Sequence, residues 1–173
     1  MKEIGGYIEF EKNTGEIYHN NAIALNCGRN CLAYLIRSKK INKIKIPDFL
    51  CDSVKNLCDR EHVQVTYYPI GIDLKPPDMN LDDNEWLYVV NYYAQLDQPF
   101  LSWLKLKYDR LIVDNAQNYF QMPIKGTDTL YTCRKFFGVS DGAFLYTDSV
   151  MELEERDLSY DRMHYLMGRF EKE

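Results

Sequence analysis

The chain has 173 residues, enough for one domain with a core of its own, and its 46% hydrophobic and 27% charged content is that of an ordinary globular protein. A net charge of −5 gives no ground for a nucleic-acid or anionic-membrane partner, and the Lys-rich patch Lys39-Lys40-Ile41-Asn42-Lys43 reads as a solvated loop. No apolar run reaches the about 18 residues that span a bilayer, and Met1-Lys2-Glu3 does not open a signal peptide, so the expected location is cytoplasmic.

In chain order, Tyr7 to Tyr18 reads as a hairpin around Asn13-Thr14-Gly15, within an arm over residues 1–19 that is separate from the βα core. Ala22 to Asn26 is a short apolar lead-in. Gly28 then opens a helix to about Ser38, with Leu32, Leu35 and Ile36 on one face. Asn42 to Ile46 alternates and stops at Pro47, as a strand does, and Cys51 to Asp59 forms a second helix. Val63 to Tyr68 is another alternating strand, followed by a Gly/Pro-containing loop to about Asp83. Trp86 to Tyr93 is a nearly continuous apolar run, the pattern of a strand buried on both faces of a parallel sheet.

Pro99 to Tyr108 has helical spacing. Leu111-Ile112-Val113, Thr129-Leu130-Tyr131 and Ala143-Phe144-Leu145-Tyr146 supply three more strands. Alternation of strand and helix predicts an α/β fold, a mostly parallel sheet with helices on both faces, over residues 20–150. Met151 to Glu173 is charged and lacks strand signals; it is expected to begin as helix.

The five cysteines, Cys27, Cys31, Cys51, Cys58 and Cys133, contain no C-x-x-C pair, and His19, His62 and His164 are scattered. Mostly buried, reduced thiols are expected, with no metal site. The 14 tyrosines suit strands and pockets without naming a ligand.

In open α/β sheets ligands bind where the carboxyl ends of strands meet their loops. Asp114 ends one strand, Asn91-Tyr92-Tyr93 another, and Lys135 follows a third. Gly28-Arg29-Asn30 lies where a loop becomes a helix, so backbone N–H groups and the helix dipole are available to a phosphate. An amine and a strand-end carboxylate are the pair that pyridoxal phosphate chemistry needs, one to hold the aldehyde and one to keep the pyridine nitrogen protonated. Each residue alone has a plainer reading: Lys as a solvated side chain, Asp as a turn residue, Gln117 as a helix start, Tyr92 and Tyr93 as packing.

Together these segments resemble the large domain of the DegT/DnrJ/StrS sugar aminotransferases, pyridoxal-phosphate enzymes of fold type I. Leu25-Asn26-Cys27-Gly28-Arg29-Asn30-Cys31-Leu32 resembles the family's phosphate turn, and Val90-Asn91-Tyr92-Tyr93-Ala94-Gln95 its "His-Leu-Tyr-Gly-Gln" strand end. Val113-Asp114-Asn115-Ala116-Gln117 is similar to "Glu-Asp-Ala-Ala-Gln", and Arg134 to Gly142 to the lysine segment. The likeness runs in order from about Asn20 to Thr147.

It implies that Lys135 holds the cofactor aldehyde and shuttles the substrate proton, and that Asp114 pairs with the pyridine nitrogen. It further implies that Gln117 reaches the phenolic oxygen and that Gly28, Arg29 and Asn30 present amides to the phosphate. Thr132 would add a hydroxyl, and Phe49 would stack on the ring, with Cys51 the alternative position. It implies an amino-acid donor, glutamate in particular, a keto-sugar acceptor that is nucleotide-linked, a role in polysaccharide, lipopolysaccharide or natural-product biosynthesis, and a homodimer.

Departures from the pattern include Cys27 and Arg29 in the phosphate turn and Ser140-Asp141-Gly142-Ala143 for "Gly-Glu-Gly-Gly". Family members are also much longer and carry a smaller C-terminal domain that closes the site. That domain is absent from these residues, so the chain is expected to be a fragment or truncated gene product, or to have the remainder supplied by another chain. A non-catalytic α/β binding or assembly domain is the alternative reading. A sugar dehydratase, in which histidine replaces the lysine, is disfavoured by Lys135.

Overall fold

The computed structural model describes residues 15–139 and 141–152. The expected N-terminal hairpin therefore lies largely outside the described residues, as do the expected C-terminal helix beyond Glu152 and Ser140 of the lysine segment. Residues 15–22 form a bend and turns.

One sheet organises the chain. Its strands are β1 (Ile23–Leu25), β2 (Lys43–Pro47), β3 (Gln64–Tyr68), β4 (Trp86–Val90), β5 (Leu111–Asp114), β6 (Asp128–Thr132) and β7 (Ala143–Tyr146), in the spatial order β1-β7-β6-β5-β4-β2-β3. The pairings β2·β3, β2·β4, β4·β5 and β5·β6 are parallel, whereas β7 is antiparallel to both β6 and β1. Two reversals return β1 to the direction of the parallel strands. As a result β1, β2, β4, β5 and β6 all end at the same edge of the sheet, and every loop that leaves them opens there.

Three helices, α1 (Gly28–Ser38), α2 (Asp52–Arg60) and α3 (Gln98–Lys107), cover both faces. Leu32, Leu35 and Ile36 of α1 and Val54 and Leu57 of α2 pack with Tyr88, Val90, Ile112 and Leu130. Leu101 and Leu104 of α3 pack on the other side with Leu87, Val89, Leu111 and Val113. Adjacent residues of β4 and β5 thus point to opposite cores, which is why those strands read as continuous apolar runs. Burial of each Leu, Ile or Val in these cores contributes on the order of 2 kcal/mol.

The face opposite α1 at the β6–β7 end is covered by aromatic side chains. His19 is buried there between Tyr119, Tyr131, Phe144 and Tyr146, its Nε2 2.8 Å from the Tyr119 carbonyl and its Nδ1 3.1 Å from the Tyr146 hydroxyl. Four of the chain's 14 tyrosines, Tyr18, Tyr119, Tyr131 and Tyr146, belong to this cover.

Two expectations are corrected. The strand read over Trp86 to Tyr93 stops at Val90, and Tyr92–Ala94 form a 3-10 turn. Asn91 ends it: its Oδ1 accepts the Leu96 N–H at 2.8 Å, and its Nδ2 reaches Asn115 Oδ1 at 3.0 Å and Gln121 Oε1 at 2.9 Å. This buried amide network folds the chain back and places Tyr93 and Ala94 at φ 49° and 61°, a region costly for residues with a Cβ. The second correction concerns the thiols. Cys31 and Cys58 are buried and Cys27 and Cys133 half-buried, but Cys51 is exposed.

Candidate functional site

The loops at the carboxyl edge enclose a cleft of about 690 Å³, within the range of small-molecule sites. Gly28, Arg29, Phe49, Asp114, Gln117, Thr132 and Lys135 all line it. Asn30 is not brought in: its amide bonds to the Cys27 carbonyl at 3.0 Å and its side chain to Asn26 Oδ1 at 2.7 Å.

Asp114 forms the floor. It ends β5, is 8% exposed, and directs Oδ1 to the Ala116 N–H at 2.8 Å and Oδ2 to the Tyr88 hydroxyl at 2.6 Å. Burial pushes its carboxyl above the usual carboxylate range, although Tyr88, the Ala116 N–H and the charge of Lys135 each oppose that shift. Lys135 acts through space and forms no direct ion pair with Asp114. The floor of the cleft therefore holds a buried carboxylate whose close partners are both neutral.

Lys135 is exposed on the turn after β6. The Cys133 carbonyl closes this turn by accepting the N–H groups of Phe136 and Phe137, each at 2.9 Å. The Cys133 N–H donates to the Gly142 carbonyl at 2.9 Å, and the Gly142 N–H donates to the Asn26 carbonyl at 2.7 Å. The lysine turn is thereby tied to the start of β7 and to the residues that lead into α1. Gly142 has φ +116°, and a Cβ there would lie 3.1 Å from Cys133 Sγ, so this junction requires glycine.

Next to this turn, α1 begins after the extended Cys27, and its first N–H groups, at Gly28 and Arg29, have no carbonyl of the helix to bond. They lie beside the cleft with a positive helix end. Gln117 is oriented by the Tyr93 N–H, which donates to its Oε1 at 3.1 Å, leaving Nε2 as the donor toward the cleft. Phe49 follows Pro47 at the end of β2, exposed and ring-to-ring with Tyr92 at 5.6 Å, while the Tyr92 hydroxyl donates to the Phe49 carbonyl. Cys51 lies beside it, and hydrogen bonds from Ser53 hold its thiol below the ordinary range.

Sequence reasoning missed Tyr88, and the available signal was slight: a phenol inside an otherwise aliphatic buried strand. It also named Asn91 only as a strand-end residue, since its bonds to Asn115 and Gln121 depend on folding back the next two loops.

Neither a protein-family model nor a curated protein matches the sequence. Solved structures do match. NtdA from Bacillus subtilis, with bound cofactor PMP, superposes with a TM-score of 0.61 at 14% identity over 75% of this chain and 33% of its own. L-threonine-O-3-phosphate decarboxylase from Porphyromonas gingivalis gives 0.58 at 15% identity over 75% and 45%. PseC from Helicobacter pylori, an aminotransferase involved in the biosynthesis of pseudoaminic acid, gives 0.54 at 13% over 74% and 40%.

The chain has the aminotransferase fold. Its seven-stranded, mostly parallel sheet is the one found in pyridoxal-phosphate-dependent aminotransferases, and the chain spans less than half the length of each of these three structures. The decarboxylase among them shows that this fold does not by itself fix the reaction.

The residues present fit the cofactor. A buried carboxylate lacking a close cation suits a protonated ring nitrogen, a helix start suits a phosphate, and the Lys135 amine belongs to the lining of the same cleft. Among the described residues, no helix is long and apolar enough to cross a membrane.

Proposed function

We propose that the cleft binds pyridoxal 5'-phosphate and that the chain is the cofactor-binding part of an aminotransferase. It would move an amino group from an amino acid, glutamate being the expected donor, to a nucleotide-linked keto sugar. The observation that carries the reading is the meeting of Asp114, Lys135 and the start of α1 on one cleft at the carboxyl edge of this sheet. When bound, the cofactor supplies an electron-withdrawing ring that stabilises negative charge at the substrate carbon.

This chain's residues would do the rest. Asp114 would keep a proton at the ring nitrogen, a role suited to a carboxylate that gains a cation on binding. Lys135 Nζ would hold the aldehyde carbon and later carry the proton to and from the substrate. The Gly28 and Arg29 N–H groups would receive the phosphate, joined by the Thr132 hydroxyl. Gln117 Nε2 would donate to the phenolic oxygen, and Phe49 would cover one face of the ring. A homodimer in the cytoplasm, with sites completed at the interface, belongs to the same reading.

A second reading is a non-catalytic α/β binding or assembly domain with the aminotransferase sheet, in which the same cleft holds a ligand without turnover. Titration with pyridoxal phosphate separates the two. A long-wavelength absorbance band that Lys135→Ala removes, and that an added amino acid converts, supports the enzyme. A band that no amino donor alters supports the binding domain, and no band in the native protein contradicts both cofactor roles.

A further inference from the structure

Tyr88 is fully enclosed by both helices of its face, yet its one polar atom is spent on the group at the floor of the cleft. It lies on β4, two residues before Val90, which pairs with Asp114 in the parallel register, so its side chain rises along the same face toward the end of β5. The phenol is 1% exposed and its hydroxyl donates to Asp114 Oδ2 at 2.6 Å, the length of a bond from a hydroxyl to a charged carboxylate. Asp114 Oδ1 is meanwhile fixed by the Ala116 N–H. Both carboxyl oxygens are thus held from inside the protein, and the plane of the group is set before any ligand enters.

We propose that Tyr88 is a positioning residue that keeps Asp114 aimed as an anion into the cleft and limits how tightly that anion holds a proton on the ligand's ring nitrogen. The proposal deepens the cofactor reading and rests on it for the identity of the ring. A carboxylate that already accepts a strong hydrogen bond has less charge to give its next partner, so Tyr88 weakens the electron withdrawal that Asp114 can sustain. Loss of the phenol would leave a more basic Asp114. Among the described residues, the other titratable groups facing the pair are Cys31 from α1, Cys58 from α2, Tyr92 after β4 and Lys135 after β6. Burial raises both thiols and the Tyr92 phenol, so they stay neutral while Asp114 titrates, and Lys135 is the one cation among the four.

The test begins with the ligand-free protein carrying 13C at the aspartate carboxyls and at tyrosine Cζ. The Asp114 signal should titrate at higher pH in Tyr88→Phe than in the native chain, and the native Tyr88 signal should step at the pH where Asp114 titrates. In protein loaded with pyridoxal phosphate labelled with 15N in the ring, the nitrogen should keep its proton to higher pH in Tyr88→Phe.

An unchanged Asp114 titration in Tyr88→Phe overturns the proposal, as does a wild-type Tyr88 signal indifferent to Asp114; the latter decides the matter if the variant fails to fold. Failure of the native protein to bind pyridoxal phosphate overturns the cofactor reading, and with it the ring-nitrogen half of the proposal. The ligand-free titrations still decide whether Tyr88 governs Asp114.

Discussion

Buried acids at the two ends of the sheet are treated in opposite ways. At the amino edge, Asp128 begins β6 and is 5% exposed, but Lys39 Nζ lies 2.8 Å from it. Glu85 precedes β4 and is 1% exposed; it has Lys45 at 3.3 Å and accepts from the Thr66 hydroxyl and the Asp82 N–H. Burial pushes the Glu85 carboxyl up, but these partners together outweigh it and leave the carboxyl below its ordinary range. At the carboxyl edge Asp114 has a phenol and one N–H, no close cation, and a carboxyl raised by burial. An acid that serves the fold brings its counter-charge from the chain, whereas an acid that serves a ligand leaves that place open.

That contrast can be broken at either end. Lys39→Met should cost about 2 kcal/mol, read by urea denaturation, because it strands a buried carboxylate; the partial exposure of Lys39 keeps the loss below that of a fully buried pair. Equal stability in the variant would mean that Asp128 does not need its cation.

Asp114→Asn should have the opposite sign, a gain of up to about 1 kcal/mol in the ligand-free protein at neutral pH. It removes a buried charge, keeps the bond from the Ala116 N–H, and lets the new amide nitrogen donate to the Tyr88 oxygen in place of the bond the carboxylate accepted. The pH dependence comes from the raised carboxyl. Stability contributed by a group whose folded pKa is raised is whole below the unfolded value, about 3.9, and is lost as pH rises through the folded value. The Asn variant should therefore lose its advantage on acidification to about pH 4. A constant difference across that window would show that Asp114 titrates as an ordinary carboxyl.

His19 provides the smallest effect. Burial lowers its pKa, so the stability it contributes is present above the unfolded value of about 6.5 and is lost as pH falls through the folded value. Thermal melts of the native chain should decline between about pH 7 and 5 more than those of His19→Gln. Parallel declines would mean that the aromatic nest tolerates the charged ring.

Much of the sheet was legible because its signals are local. Alternation in β2 and β3, uninterrupted apolar runs in β4 and β5, and the Gly28 start of α1 each arise from a few neighbouring residues. The end of β4 was not legible: Asn91 sits in an apolar context, and what ends the strand is an amide network with Asn115 and Gln121, more than 20 residues away in the chain. The site divides similarly. Asp114, Gln117 and Lys135 could be named from strand ends and from likeness to a family. The Tyr88 contact could not, because it depends on the β4–β5 register, and neither could Asn30's withdrawal, because it depends on how the first turn of α1 spends its amides.

The central claim is that Lys135 and Asp114 serve one cofactor in one cleft. Borohydride reduction of the protein mixed with pyridoxal phosphate, followed by peptide mass mapping, tests it most directly. The account predicts one stable adduct, on Lys135, formed in the native chain and largely lost in Asp114→Ala; adducts scattered over exposed lysines, or one on Lys135 indifferent to Asp114, would contradict it.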